Sequence, residues 1–335
     1  KQYQVWMFTG SKVWGENFDK FVSAFAHQFL FFLVLPVLYV FSLWAKNKNE
    51  SKYLLMTFIG MISAPFISFK GKGKEILWFF IILGLSCIFY SFNYSIHDID
   101  SYFLTAFIAY YLLCAVGLGY LSEKFGNKSY AMLAIPVIAL AMNFSNSDLS
   151  KDNTVEDYTK LTAGKLEKNA LIISAQWDFW VSPFWYMQKI ENYRPDVVLV
   201  EKELLRRTWY PYQFAKWYPE IANKSRAEID AFMKDLELFE SEKPYDAMSI
   251  QTNYVNMLNS FIDKNYGSRP IYITLDVMET EPDVAKEYIK IPEGMAFRLT
   301  KDTSITQVKF NSSDYDAFIA SVKGREGHLY DAIRA

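Results

Sequence analysis

Cysteine is nearly absent from this chain of 335 residues: Cys87 and Cys114 are the only two, and both fall inside apolar runs. Two thiols so placed exclude a disulfide framework. Neither stands at metal-ligand spacing from a second Cys or a His. An excess of charge of one sign is missing too. The net charge of −2 gives no electrostatic reason to expect nucleic acid as a partner. There is no Gly-rich phosphate loop, no G-x-S-x-G elbow and no H-E-x-x-H. No long apolar run carries an Asp, Glu, Lys or Arg at its centre, so the usual mark of a coupled ion pathway is lacking and a transporter ranks last among the function classes.

What is present is a division. The mean hydropathy of zero averages two populations. Up to about Phe144 the chain is a series of charge-free apolar runs; from Ser145 to Ala335 it reads as a water-soluble α/β domain. A helix crosses a bilayer with about 20 apolar residues. Phe21–Ala45, Ile76–Ile96, Ser101–Ser122 and the shorter Ser129–Phe144 are read as four spans, preceded by a segment 1–20 on the outer face. Lysines 46, 48 and 52, and then 70, 72 and 74, flank the run Tyr53–Phe69 and favour one side of the membrane. That run is therefore read as re-entrant or interfacial, with a fifth span as the alternative. The expected fold is a membrane α-helical bundle over 21–144, followed by a soluble domain over 145–335 with a small, mainly parallel sheet. The expected location is a bacterial inner membrane, with the C-terminal domain on the periplasmic or outer face. The chain opens at Lys1 without an initiator Met and is read as the back part of a longer protein.

In the soluble part, Ala170–Ala175, Asp196–Val200 and Pro270–Leu275 read as short strands alternating with helices, the pattern of a sheet with covered faces. Ala296–Thr300 and Ser304–Phe310 read as a hairpin. Ser225 with Glu228 reads as a capping box. Ligands of such sheets bind beyond the carboxyl ends of the strands. Gln176, Trp177, Asp178 and Phe179 follow the first strand, Glu201 and Glu203 the second, and Asp276 and Glu279 the third.

Two groups of residues carry candidate chemistry. His97, Asp98, Asp100 and Tyr102 lie in the loop Asn93–Phe103. Carboxylates there can act as general base, hold a divalent metal or bind a sugar hydroxyl; alternatively Asp100 caps the next helix. Gln176, Trp177 and Asp178 could stack on and hydrogen-bond a sugar ring, or simply pack. Arg206 could meet a phosphate, or face solvent or headgroups. No motif names a particular cofactor, and a divalent metal would suit the carboxylates.

These residues also carry a resemblance. Lys1–Phe8 (KQYQVWMF), Asn93–Phe103 (NYSIHDIDSYF) and Trp177–Tyr210, with FWYMQKIENYRPDVVLVEKELLRRTWY inside it, are similar to the transmembrane O-mannosyltransferase-like family of glycosyltransferases. The family's Gly-Asp-Asn-Asp-Thr-Phe pattern is here Ala175-Gln176-Trp177-Asp178-Phe179, so only Asp178 and Phe179 match. His97 stands where the family often has Pro. The resemblance implies a glycosyltransferase-C type fold, a polyprenyl-phosphate sugar donor, and a Ser or Thr hydroxyl of a protein as acceptor. It also implies a main catalytic acid upstream of Lys1, which would leave this fragment inactive alone. The leading expectation is thus transfer of mannose from a lipid-phosphate donor at a bilayer. The alternatives are a non-enzymatic scaffold or export component and, last, a transporter.

Overall fold

A computed structural model describes Met7, Phe8 and residues 10–28, 74–96, 99–125, 134–304 and 313–325, with Tyr330 and Ile333. The chain divides into two compact units, Lys1–Leu149 and Ser150–Ala335.

The first unit holds α1 (Ser11–Gln28), α2 (Lys74–Phe92), a 3₁₀ turn (Ile99–Phe103), α3 (Leu104–Phe125) and α4 (Ala134–Ser147). Its core is aromatic. Phe21 of α1 meets Phe92, Phe103 and Phe107 at 5.6, 5.1 and 5.7 Å. The end of α2 is closed by Asn17, whose side-chain amide donates to the Ser91 and Tyr94 carbonyls at 3.0 and 2.9 Å. Ser91 is in the last turn of the helix, where carbonyls run out of intrahelical partners, and its carbonyl also accepts from the Tyr94 amide at 3.2 Å.

The expected membrane bundle is overturned here. Among the described residues no helix is long and apolar enough to cross a membrane. The run Ile76–Ile96 is helical only to Phe92, about 26 Å of helix against a hydrocarbon core of about 30 Å. The run from Ser101 spends its first turn as 3₁₀. Helix α4 has 14 residues, about 21 Å. Helix α1 takes in Lys12, Glu16, Asp19 and Lys20 before it reaches the first apolar run. Residues 29–73, with the Tyr53–Phe69 run and most of Phe21–Ala45, lie outside the described residues.

The second unit is built on a five-stranded sheet in the order β2-β1-β3-β5-β4. Strands β1 (Leu171–Ser174), β2 (Val198–Glu201) and β3 (Ile271–Ile273) are parallel, with Ile172 opposite both Leu199 and Tyr272. The sheet is not mainly parallel, however. Strand β5 (Ala296–Thr300) runs antiparallel to β3, and β4 (Ile289–Glu293) antiparallel to β5. The hairpin partner of Ala296–Thr300 is therefore the segment before it. The reason is Gly294, at φ +69, which opens the two-residue loop between Glu293 and Ala296 in the conformation that twisted strands favour. Strand β4 is an edge, which tolerates its Pro292. Residues 305–310 lie outside the described residues.

Both faces of β1 and β2 are covered, which is why their sequences are continuous apolar runs rather than alternating ones. On one face α5 (Thr154–Lys165), α6 (Ser182–Ile190) and α12 (Ser313–Val322) pack Tyr158, Phe184 and Phe318 around Ile172 and Leu199. On the other lie α7 (Trp209–Trp217), α8 (Pro219–Lys224), α9 (Arg226–Glu240) and α10 (Ala247–Asp263). Helix α9 buries Ile229, Phe232, Met233 and Leu236, the i, i+3, i+4, i+7 stripe of an amphipathic helix. Its start is not a capping box. Ser225 makes no side-chain cap bond, and Glu228 instead meets Lys264 at 2.7 Å. The short helix α11 (Leu275–Thr280) follows β3 directly.

Candidate functional site

The carboxyl ends of β1, β2 and β3 point the same way, because the strands are parallel. Chemistry gathers there. After Ser174 the chain makes a wide turn, Trp177–Val181, in which the Trp180 and Val181 amides both donate to the Gln176 carbonyl at 3.2 and 2.9 Å. Single π-type turns of this kind concentrate at functional sites. The turn is tied to β3 by Asp276, whose Oδ2 accepts from the Ala175 amide at 2.8 Å. The Asp276 Oδ1 is buried and has no partner in the protein.

The structure brings Gln176, Trp177 and Asp178 together on this turn. Gln176 is half-buried, and its Oε1 accepts from the Tyr158 hydroxyl at 3.2 Å. Burial, and then the nearby Asp276 charge, push the Tyr158 phenol far above its usual range. Trp177 and Asp178 are exposed. The Trp177 ring stands edge-on to Trp185 at 5.8 Å. Trp185 in turn touches Tyr210 at 6.1 Å and Trp217 at 5.3 Å, so one line of rings runs from the end of β1 to the helix after β2.

Beyond β2 the side chains are charged, and Glu201 and Lys202 are enclosed. Glu201 is 2% exposed. Burial raises its carboxyl to about 7, although the Leu204 and Glu203 amides pull the other way. Lys202 is also enclosed; its Nζ pairs with Glu203 and lies 3.4 Å from Glu281. Arg206 turns inward as well, donating to Glu281 at 2.6 Å and lying 3.7 Å over the Tyr254 ring. Gln251 holds the second Glu281 oxygen at 3.1 Å, and the Tyr254 hydroxyl donates to the Lys202 carbonyl at 2.7 Å. Two cations and two carboxylates therefore balance, with Glu201 beside them near neutrality. An anion that reached Arg206 would have to displace Glu281. Glu279 is exposed on α11.

Asp100 and Tyr102 belong to the first unit. Asp100 is exposed inside the 3₁₀ turn, so it does not cap α3. Tyr102 stacks near Tyr90 and Tyr94 at 6.3 and 5.5 Å. His97 and Asp98 lie outside the described residues. Among the described residues no group of three or more His, Cys, Asp and Glu could hold a metal ion.

Tyr158, Trp185, Tyr210, Lys202, Gln251, Tyr254 and Glu281 join these candidates only through the fold. Lys202 had a local signal, since a Lys between two Glu at a strand end is unusual where the strand is buried. Glu281 had none, being 79 residues from Lys202. A concavity of about 630 Å³ lies elsewhere, against α10. Its walls are largely self-neutralised by the Glu228–Lys264 and Asp283–Lys286 pairs. The carboxyl edge, with its enclosed ionisable groups and orphaned polar atoms, is the better site. Comparison with known protein families, with characterised proteins and with solved structures finds no match to this chain.

Proposed function

We propose that this chain belongs to a glycosyltransferase that moves a sugar, mannose by resemblance, from a polyprenyl-phosphate donor to a protein hydroxyl. Residues 150–335 then receive the acceptor at the carboxyl edge of their sheet. The observation that carries the reading is the turn after β1. Trp177 is 44% exposed, braced by Trp185, and flanked by the Gln176 amide and the Asp178 carboxylate. An open indole face with polar groups at its rim suits a partner that is apolar on one side and hydroxylated at its edge. The motif NYSIHDIDSYF and the Arg194-Pro195-Asp196 block support the same family of reactions.

The chemistry is a displacement at the anomeric carbon. The acceptor oxygen forms a bond to that carbon as its bond to the phosphate oxygen breaks. Polyprenyl phosphate leaves with the electron pair, and the hydroxyl proton passes to a carboxylate. Such a base contributes roughly 10²–10⁴-fold. A lipid-linked donor puts the reaction at a membrane surface, which makes the bilayer a partner.

The test is to incubate the full-length protein with labelled polyprenyl-phosphate mannose and Ser- or Thr-containing peptides. Label should appear on the peptide. Trp177→Ala should raise the KM for peptide about tenfold with little change in kcat, the signature of lost binding common to ground and transition states. No transfer to any acceptor, with peptide still bound, would leave a non-enzymatic recognition domain instead.

A further inference from the structure

The opposite end of the sheet holds a second concavity. Strand β5 runs antiparallel to β3, so the last residues of β5 lie beside the start of β3. The turn from α10 into β3, with Gly267 at φ +81, closes another side. The cavity between them is about 360 Å³, within the range of small-molecule sites. Its polar walls come from Tyr266, Ser268, Arg269, Arg298 and Thr300. A Cβ on Gly267 would meet nothing within 4 Å, so that wall faces open space.

These walls are rich in donors and contain no carboxylate. The Tyr266 hydroxyl accepts from the Lys301 amide at 2.8 Å, and the Thr300 hydroxyl from the Asp302 amide at 3.0 Å. Each hydroxyl keeps its own proton to donate. The Arg269 side chain is 14% exposed and meets Glu220 only at 3.3 Å. Glu220 is shared with Lys224 at 3.0 Å, and Arg269 Nε has no acceptor among the described residues. Arg298 pairs with Glu167. Neither of these carboxylates lines the cavity; they are 64% and 42% exposed. The Asp302 carboxylate turns to the Ser304 amide at 2.8 Å. Lys301 adds a third cation, with its Nζ 5.8 Å from the centre of the Tyr266 ring.

Two guanidinium groups and two spare hydroxyl protons around one space select an oxyanion. A phosphate suits the set better than a carboxylate, because its three terminal oxygens can accept from both arginines and both hydroxyls together. The cavity also leaves room for the group that the phosphate carries. We infer that it binds a phosphate monoester, with Arg269 and Arg298 meeting its charge and Tyr266 and Thr300 donating to its oxygens. The site is separate from the carboxyl edge and stands independently of the sugar-transfer reading.

Titration calorimetry of the full chain with glycerol 3-phosphate at low salt tests the inference. Saturable binding is expected, with none for glycerol. Arg269→Gln and Arg298→Gln should each weaken it at least tenfold. Glu220→Gln, which removes the present partner of Arg269, should tighten it about threefold, an effect that a purely structural Arg269 would not produce. The same chemistry could be offered by a lipid headgroup, so phosphatidylcholine vesicles with and without phosphatidic acid form a second arm. Retention on phosphatidic acid vesicles that both arginine variants abolish, without binding of glycerol 3-phosphate, would identify a headgroup as the monoester. The site is overturned if neither probe binds saturably, if glycerol binds as well as its phosphate, or if affinity is unchanged in both arginine variants. Glu220 is an exposed side chain, so its variant reads the site even where an arginine variant does not fold. Unchanged affinity in Glu220→Gln then overturns the inference.

Discussion

Arg194 shows why a residue in a recognisable motif need not touch a ligand. Its guanidinium donates to the carbonyls of Ala163, Leu166 and Glu167, where α5 ends, and grips both oxygens of Asp196 at 2.9 and 3.0 Å. Asp196 also accepts from the Asn169 amide at 2.8 Å. The Arg-Pro-Asp block therefore ties α5 and the loop before β1 to the entry of β2. Arg194→Ala should cost roughly 2–4 kcal/mol in urea unfolding, from several lost charge-assisted bonds and an unpaired carboxylate. Arg194→Lys should recover little, because an ammonium cannot reproduce the planar fork. Glu201 makes a prediction of the other kind. Its folded carboxyl is raised to about 7 by burial from an ordinary value of 4.5. The unfolded chain thus loses its proton first, and stability falls as pH rises from about 4.5 to 7, by about 3 kcal/mol in all. Glu201→Gln should flatten that slope in urea melts at pH 5 and pH 8. Asp196 has the opposite sign. Held near 2 chiefly by its hydrogen bond to Arg194, it stabilises the fold above about pH 4, and its contribution is lost as pH falls through 2.

Elements were legible where their pattern is local. Helix α9 shows its face in Ile229, Phe232, Met233 and Leu236, and α10 starts at Asp246, whose side chain accepts from the Met248 amide at 2.9 Å. Strands β1, β2 and β3 were visible as short apolar runs between turn residues. Strand β4 was not, because Ile289–Glu293 is an edge that buries only Ile291 fully and contains Pro292. The one signal for its hairpin was Glu-Gly before an apolar stretch. That Gly is also closely packed: a Cβ at Gly294 would meet Lys165 Cβ and the Tyr315 hydroxyl at 3.1 Å, on a backbone at φ +69. Gly294→Ala should therefore cost about 1–2 kcal/mol, read as a lowered melting temperature. The expected capping box at Ser225 failed because Glu228 found a stronger partner in Lys264 on a neighbouring helix.

At the scale of the whole chain, the two units differ in what they leave uncovered. Residues 150–335 carry their own core on both faces of a sheet and meet the size and burial expected of an independent domain. In the first unit, α2 exposes Trp78, Ile82, Leu85 and Phe89, which recur along one side of the helix. Contiguous apolar surface of that kind drives association unless something covers it. Residues 150–335 expressed alone should unfold in one cooperative step by circular dichroism and remain monomeric in light scattering. Residues 1–149 alone should associate without an amphiphile. A non-cooperative melt of the second segment would count against its independence.

By itself the sequence determined the three parallel strands and the longer helices of residues 154–263, that the chain has an apolar first part and a mixed second part, and that Gln176, Trp177 and Asp178 follow a strand. All of these depend on residues within a turn or two of one another. Only the tertiary structure decided that Asp276 anchors the turn 101 residues before it, that Glu281 neutralises Lys202 and Arg206, and that Trp185 and Tyr210 are left with unanswered polar atoms. Among the described residues it also left no helix long and apolar enough to cross a membrane. Periodicity and hydropathy report what a segment can bury, whereas partners far along the chain are chosen by how the elements pack.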